Sequence, residues 1–108
     1  MELRAYGETY KVKPQLNNYV ENDNTAVSLI YWDEEFHTYM PFCHLSTNIV
    51  PLEPGYCAID TNNCEFAPDF IKENDLGEPT GQVLRSGFCT YPVYKMNMEK
   101  LEALSKEY

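Results

Sequence analysis

The run Thr25 to Trp32 (TAVSLIYW) constrains this chain more than any other stretch. It is β-branched and aromatic, which suits a pleated, half-buried surface. Turn residues bound it on both sides, Glu21-Asn22-Asp23-Asn24 before and Asp33-Glu34-Glu35 after. Asn and Asp tolerate left-handed backbone and bond their own main chain, so both flanks read as reversals. A strand so placed needs a partner. Phe36 to Leu45 (FHTYMPFCHL) supplies it as the second arm of a hairpin, with Pro41 putting that arm at an edge or bulge.

The remaining segments are weaker. Leu3, Ala5, Tyr10 and Val12 lie near period two, with Gly7 read as a bulge and Pro14 as the end of the run. Leu16, Asn18 and Val20 then alternate with Asn17 and Tyr19. Ser46 to Gly55, with Pro51 and Pro54, reads as a loop, and Tyr56 to Asp60 as a short strand. Asn62 or Asn63 is placed to cap a helix starting at Cys64 or Glu65, with Phe66, Phe70 and Ile71 on its apolar face. Pro68 belongs in its first turn, and Leu76-Gly77 is read as its stop, with Gly77 left-handed. Gly77 to Gly87 reads as a glycine-punctuated loop, Phe88 to Met96 as a last strand, and Met98 to Tyr108 as a C-terminal helix with Leu101 and Leu104 inward. The expected fold is a single α+β domain over residues 1–108: an antiparallel sheet of about five to six strands with one short internal helix and a C-terminal helix.

A chain of 108 residues can bury one core without disulfide staples. Cys43, Cys57, Cys64 and Cys89 form no CxxC pair, and MELRAYGETY has no apolar signal segment. A reducing, cytoplasmic setting is therefore expected, with the cysteines acting as small hydrophobes. A zinc site would need Cys57 and Cys64 to meet Cys43 or Cys89, with His37 as a further ligand. No apolar run approaches the ~18 residues of a membrane span. No cofactor and no membrane contact are expected.

The net charge of −9 argues against direct nucleic-acid binding and for a basic protein partner. Asp33, Glu34 and Glu35 at a hairpin tip form either a solvated turn or a phosphate-mimicking contact for a basic groove. Glu73, Asp75 and Glu78 would extend such a patch from a helix end, where acids oppose the helix dipole. Arg85 is expected to pair with an acid such as Asp60 or Asp69. Thr80 to Gly87 lacks the phosphate-loop pattern GxxxxGK[ST] and leads into a strand, not a helix. Cys89 with His37 or His44 as base offers only the residue types for thiol catalysis, so no enzyme is expected. Nine tyrosines and Trp32 cannot all be buried, and exposed tyrosines such as Tyr91 suit recognition.

At Asp60-Thr61-Asn62-Asn63, at Leu76 to Gly81 (LGEPTG) and at Arg85 to Pro92 (RSGFCTYP), the chain resembles a DUF4313-like family. The family comprises uncharacterised small acidic proteins of gut bacteria and their mobile elements. The resemblance is sharpest from Asp60 to Tyr94. It implies no catalytic residues and the company of mobile-element accessory genes. Together with the charge, it implies a non-enzymatic acidic interaction protein. In its sharpest form this is a nucleic-acid-mimicking inhibitor of a host defence nuclease, as an anti-CRISPR protein is, whose partner would be a basic nucleic-acid-binding enzyme. The alternative is a small cytosolic protein-binding module using the Gly77 to Tyr94 loop and the exposed tyrosines. Monomer and homodimer both stay open, since an edge strand near Pro41 permits pairing.

Overall fold

A computed structural model describes residues 1–106; the last part of the expected C-terminal helix, at 107–108, lies outside the described residues. The fold is α+β and holds two four-stranded antiparallel sheets, not one sheet of five to six strands. The first contains β1 (Glu2–Ala5), β2 (Glu8–Asn18), β3 (Thr25–Asp33) and β4 (Thr38–His44) in sequential order. The second contains β5 (Ser46–Thr47), β6 (Tyr56–Ile59), β7 (Gly77–Ser86) and β8 (Cys89–Met96) in the order β5-β6-β8-β7. Helix α1 (Ala67–Glu73) lies between β6 and β7, and α2 (Met98–Ser105) follows β8.

Several strands differ from the expectation for identifiable reasons. Gly7 is not a bulge: Tyr6 and Gly7, at φ 54° and 77°, form a two-residue turn joining β1 to β2. Two positive φ values match the twist of a tight hairpin. Pro14 does not end β2 either. The Val12 amide points to the β1 side, where it donates to the Met1 carbonyl at 2.8 Å, so alternation aims the Pro14 nitrogen the same way. There β1 has ended, and the missing N–H removes no ladder bond.

The chain passes between sheets at Leu45, which is fully buried. Its amide donates to the Val27 carbonyl of β3 at 2.9 Å, and its carbonyl accepts from the Asp60 amide after β6 at 2.8 Å. Ser46, also buried, locks the corner: its Oγ accepts from the Val27 amide at 2.9 Å and shares a 3.0 Å hydrogen bond with the Tyr19 hydroxyl. One hydrophobic cluster runs through both sheets, including Leu3, Val12, Val27 and Leu29 from the first and Cys57, Ile59 and Tyr94 from the second. Tyr10, Tyr31, Phe42 and Phe66 close one end of it, with the Tyr10 and Phe42 rings 4.8 Å apart.

Helix α1 starts at Ala67, later than expected, and neither Asn62 nor Asn63 caps it. The Asp60 carboxylate instead takes the Asn63 amide at 3.1 Å and the Asn63 side chain at 2.9 Å, holding 60–64 as a separate turn. Pro68 sits in the first turn, and Ala67, Phe70 and Ile71 are buried. At the helix exit Asp75, not Gly77, takes the left-handed conformation, at φ 53°. Helix α2 is capped by Asn97, whose side chain accepts from the Lys100 amide at 3.2 Å, and it buries Leu101. No helix among the described residues is long and apolar enough to cross a membrane.

Candidate functional site

Gly77 to Gly87 is not a loop. It is strand β7 plus the start of its turn, and with β8 it forms an arm whose outer strand is almost entirely exposed. Glycine and proline content concealed the strand, and each of these residues has a local task. Gly77 faces Met96, where a Cβ would stand 2.9 Å from the Lys95 carbonyl oxygen. Gly81, at φ 87°, sits in the irregularity between the Pro79↔Tyr94 and Val83↔Pro92 pairs. Thr80 Oγ1 repairs the ladder there by donating to the Val93 carbonyl at 2.9 Å and accepting the Gln82 amide at 3.1 Å. Gly87, at φ 61°, is first of the two residues between Ser86 and Cys89, the position where a type II′ hairpin turn requires positive φ.

The second turn residue is Phe88, which is 104% exposed. Val83, on the same arm, is 59% exposed. No residue-pattern argument singled out either one. An aromatic next to a turn glycine was the only available signal, and it reads equally well as a strand end.

The acids expected to act together divide into groups. Asp33 closes the β3–β4 hairpin: its Oδ1 accepts the amides of Glu35 and Phe36 at 2.9 and 3.0 Å. Glu34 and Glu35 are exposed beside it. Glu34 and Glu2 help line a cavity of about 610 Å³ with Lys11, Lys13, Trp32 and Tyr39. Lys13 Nζ lies 4.3 Å from the Tyr39 ring centre, and Tyr39 meets Trp32 edge-on at 5.2 Å. Glu2 also borders a second cavity with Arg4, Asp69 and Glu73. Asp75 and Glu78 lie apart from these, around a third cavity with Lys95 and Asn97.

Arg85 is exposed opposite Thr90 and makes no side-chain pair with Asp60 or Asp69 among the described residues. Exposure at the arm explains this, since Asp60 is spent on Asn63. Tyr91 is half-buried beside Cys89. A hydrogen bond with that thiol, followed by burial and the Cys89 and Asp60 charges, raises its hydroxyl above the ordinary range.

Residues 14–108 match the model of a family described as a domain of unknown function. The chain belongs to the DUF4313 family. No curated protein and no solved structure matches it. The DUF4313 match takes in both helices, the whole β7–β8 arm and all four cysteines. It begins inside β2, so Glu2, Lys11 and Lys13 of the aromatic cavity fall outside the matched residues.

The thiol-catalysis residues of this DUF4313 chain do not meet. His37 lies 6.4 Å from Trp32 between ring centres, at the β3–β4 tip. His44 Nδ1 shares a 2.9 Å hydrogen bond with Ser28 Oγ on the exposed face of the first sheet. Cys89 has Tyr91 as its neighbour. The Ser28–His44 contact is a cross-strand pair the sequence reading missed, legible only once the register Ser28↔His44 is known. No group of three or more His, Cys, Asp or Glu side chains among the described residues is arranged to hold a metal ion. The four thiols are free; Cys57 and Cys64 are buried, and Cys43 and Cys89 half-buried.

Proposed function

We propose that the protein is a non-enzymatic interaction module that docks a protein partner with the β7–β8 arm. The carrying observation is Phe88, wholly exposed at the tip of a hydrogen-bonded two-strand arm, with Val83 exposed behind it. A large apolar ring on a rigid tip gains free energy only when something covers it, and aromatic anchors entering a partner's pocket dominate many interfaces. The charge of −9 steers a partner with a basic surface toward the chain. A non-catalytic role fits the Ser28–His44 pair, whose ring has no carboxylate behind it among the described residues.

A second reading is the nucleic-acid mimic of a mobile element, acting in the cytoplasm on a basic defence nuclease. Its specific support is Glu2, which borders one cavity with Glu34 and another with Asp69 and Glu73, joining the hairpin tip to the helix. Lys11, Lys13 and Arg4 interrupt that acidic line, which is why the arm is preferred.

Pull-down of tagged protein from a bacterial lysate at low and high salt, run beside Phe88→Ser and the double variant Glu34→Gln/Glu35→Gln, separates the two. A partner that survives high salt and is lost with Phe88→Ser supports the arm. A partner that elutes with salt and is lost only with the neutralised tip overturns it in favour of mimicry.

A further inference from the structure

One row of side chains crosses all four strands of the first sheet on the face turned away from the core. Glu2 of β1 lies opposite Lys11 of β2, and Trp32 of β3 lies opposite Tyr39 of β4. The Val12↔Tyr31 pair makes Lys11 and Trp32 the next neighbours along the same register. Val12 is buried and Tyr31 packs on the core cluster, so alternation turns Lys11 and Trp32 outward. All four residues of the row line the cavity of about 610 Å³, together with Lys13 and Glu34, which follow Lys11 and Trp32 by two residues. That volume lies within the range of small-molecule sites.

The lining selects its guest. Lys13 Nζ stands 4.3 Å from the Tyr39 ring centre and so occupies that ring. Tyr39 and His37 meet Trp32 at 72° and 64°, so neither ring stacks on it, and the Trp32 indole is the flat apolar platform of the cavity. Lys11 and Glu34 are exposed, and neither has an ion-pair partner among the described residues. A simple anion would meet Glu2 and Glu34, and a simple cation would meet Lys11 and Lys13. The lining suits a flat molecule with an anionic end for Lys11 and N–H donors for Glu34. Lys11 is one strand away from Trp32, about 5 Å, while Glu34 lies beyond it along the chain, so the two charges flank the indole in different directions. An aromatic amino acid holds both its charges at one end of its ring. A nucleotide holds its phosphate at one end and its base edge at the other.

We propose that this face of the first sheet is a binding site for a guanine mononucleotide. The base stacks on Trp32, a contact every base can make because each has a π face. Guanine presents two parallel donors on its pairing edge, N1–H and the N2 amino group, and a carboxylate accepts both at once. Glu34 reads that edge. Adenine offers one donor beside the N1 lone pair, which a carboxylate repels. The phosphate goes to Lys11. Beyond Lys11 the row continues to Glu2, so a second phosphate would meet a carboxylate. The net charge of −9 likewise disfavours a polynucleotide, whose many phosphates need a basic face, whereas a mononucleotide needs one cation.

Trp32 is the sole tryptophan of the chain, so its fluorescence reports on the site directly. Titration of the full-length protein with GMP, excited outside the nucleotide band, is expected to quench it saturably. AMP should bind about tenfold more weakly, since a hydrogen bond to a charged group is lost, and GTP more weakly than GMP. Lys11→Gln and Glu34→Gln should each weaken GMP about tenfold for the same reason. Trp32→Ala, followed by calorimetry, should lose at least about tenfold with the stacking platform. Absence of saturable quenching at millimolar GMP, equal affinity for GMP and AMP, tighter binding of GTP than of GMP, or binding indifferent to Lys11→Gln and Glu34→Gln overturns the proposal. Those two positions are exposed, so they decide the matter even where Trp32→Ala folds poorly.

Discussion

The side-chain amide of Asn24 donates to the carbonyl of Val50 at 2.7 Å, across the gap between the start of β3 and the proline-rich loop. The same side chain donates to Asn48 Oδ1 at 2.9 Å and accepts the Leu52 amide at 2.8 Å, so one buried residue holds the loop at three points. Asn24→Ala is expected to destabilise the protein by about 2–3 kcal/mol, since it leaves loop groups without partners. Asn24→Asp keeps the acceptor but sets a carboxylate against two oxygens. It should be worse at neutral pH and recover in part as acid protonates the carboxyl and restores a donor. Urea midpoints at neutral and acidic pH check both expectations.

Gly77 and Gly81 respond to the same change for different physical reasons and to different degrees. At Gly77 a Cβ would stand 2.9 Å from the Lys95 oxygen, 3.0 Å from Met96 Sδ and 3.2 Å from Met96 Cα. Backbone cannot yield as a side chain can, so Gly77→Ala should cost about 1–3 kcal/mol through overpacking. At Gly81 nothing lies within 4 Å and only the positive φ penalises a side chain, so Gly81→Ala should cost about 1 kcal/mol and Gly81→Asn less. Thermal melts of the three variants give the order. An equal loss at both glycines would show that space at Gly77 is not what matters.

The central hairpin was legible because Thr25 to Trp32 is β-branched and aromatic between two turn-forming flanks; which of its faces is buried was not, and in β3 Thr25, Val27 and Leu29 are buried while Ala26, Ser28 and Ile30 are half-exposed. The two helices were legible from Phe70, Ile71 and Leu101, all buried on one side. What escaped was set by pairing, not by local preference. The two residues of β5 form a strand because Ser46 and Thr47 lie opposite Ile59 and Ala58. Strand β7 exists because β8 lends it a ladder, although its own composition favours turns. The division into two sheets turns on Leu45, whose backbone serves both, and no feature of a leucine in sequence announces that. Of the candidate site residues, the acids at the hairpin tip were correctly placed. Phe88 at the tip of the β7–β8 arm needed the fold.

Cys57 gives a pH signature. Its side chain is 2% exposed, and burial raises its thiol from 9.0 to about 12. Below pH 9 the thiol is neutral in both folded and unfolded chains, and the full contribution is present. Between pH 9 and 12 the unfolded chain releases the proton while the folded chain keeps it, so stability falls as pH rises and the contribution is gone above 12. A rise of that size corresponds to about 4 kcal/mol. Tyrosines and lysines titrate in the same window, so the informative quantity is a difference. Cys57→Ala should lose some stability at pH 7 and show a shallower decline above pH 9. Parallel urea midpoints for wild type and variant across the alkaline range would count against burial as the cause.

Asp33 combines a structural task with a charge, and two substitutions divide them. Its Oδ1 holds the amides of Glu35 and Phe36, while its charge belongs to the acidic tip with Glu34 and Glu35. Asn offers the same acceptor without the charge and is equally at home in such a turn. Asp33→Asn should therefore leave the melting temperature nearly unchanged, whereas Asp33→Ala should cost about 1 kcal/mol by freeing the turn. Binding reads the other half. If the β7–β8 arm carries the interaction, Asp33→Asn binds a captured partner as wild type does, and Phe88→Ser, which removes a ring that packs on nothing, abolishes capture without changing stability. A partner weakened severalfold by Asp33→Asn at low salt and indifferent to Phe88→Ser would move the interface to the hairpin tip, where the charge and not the ring does the binding.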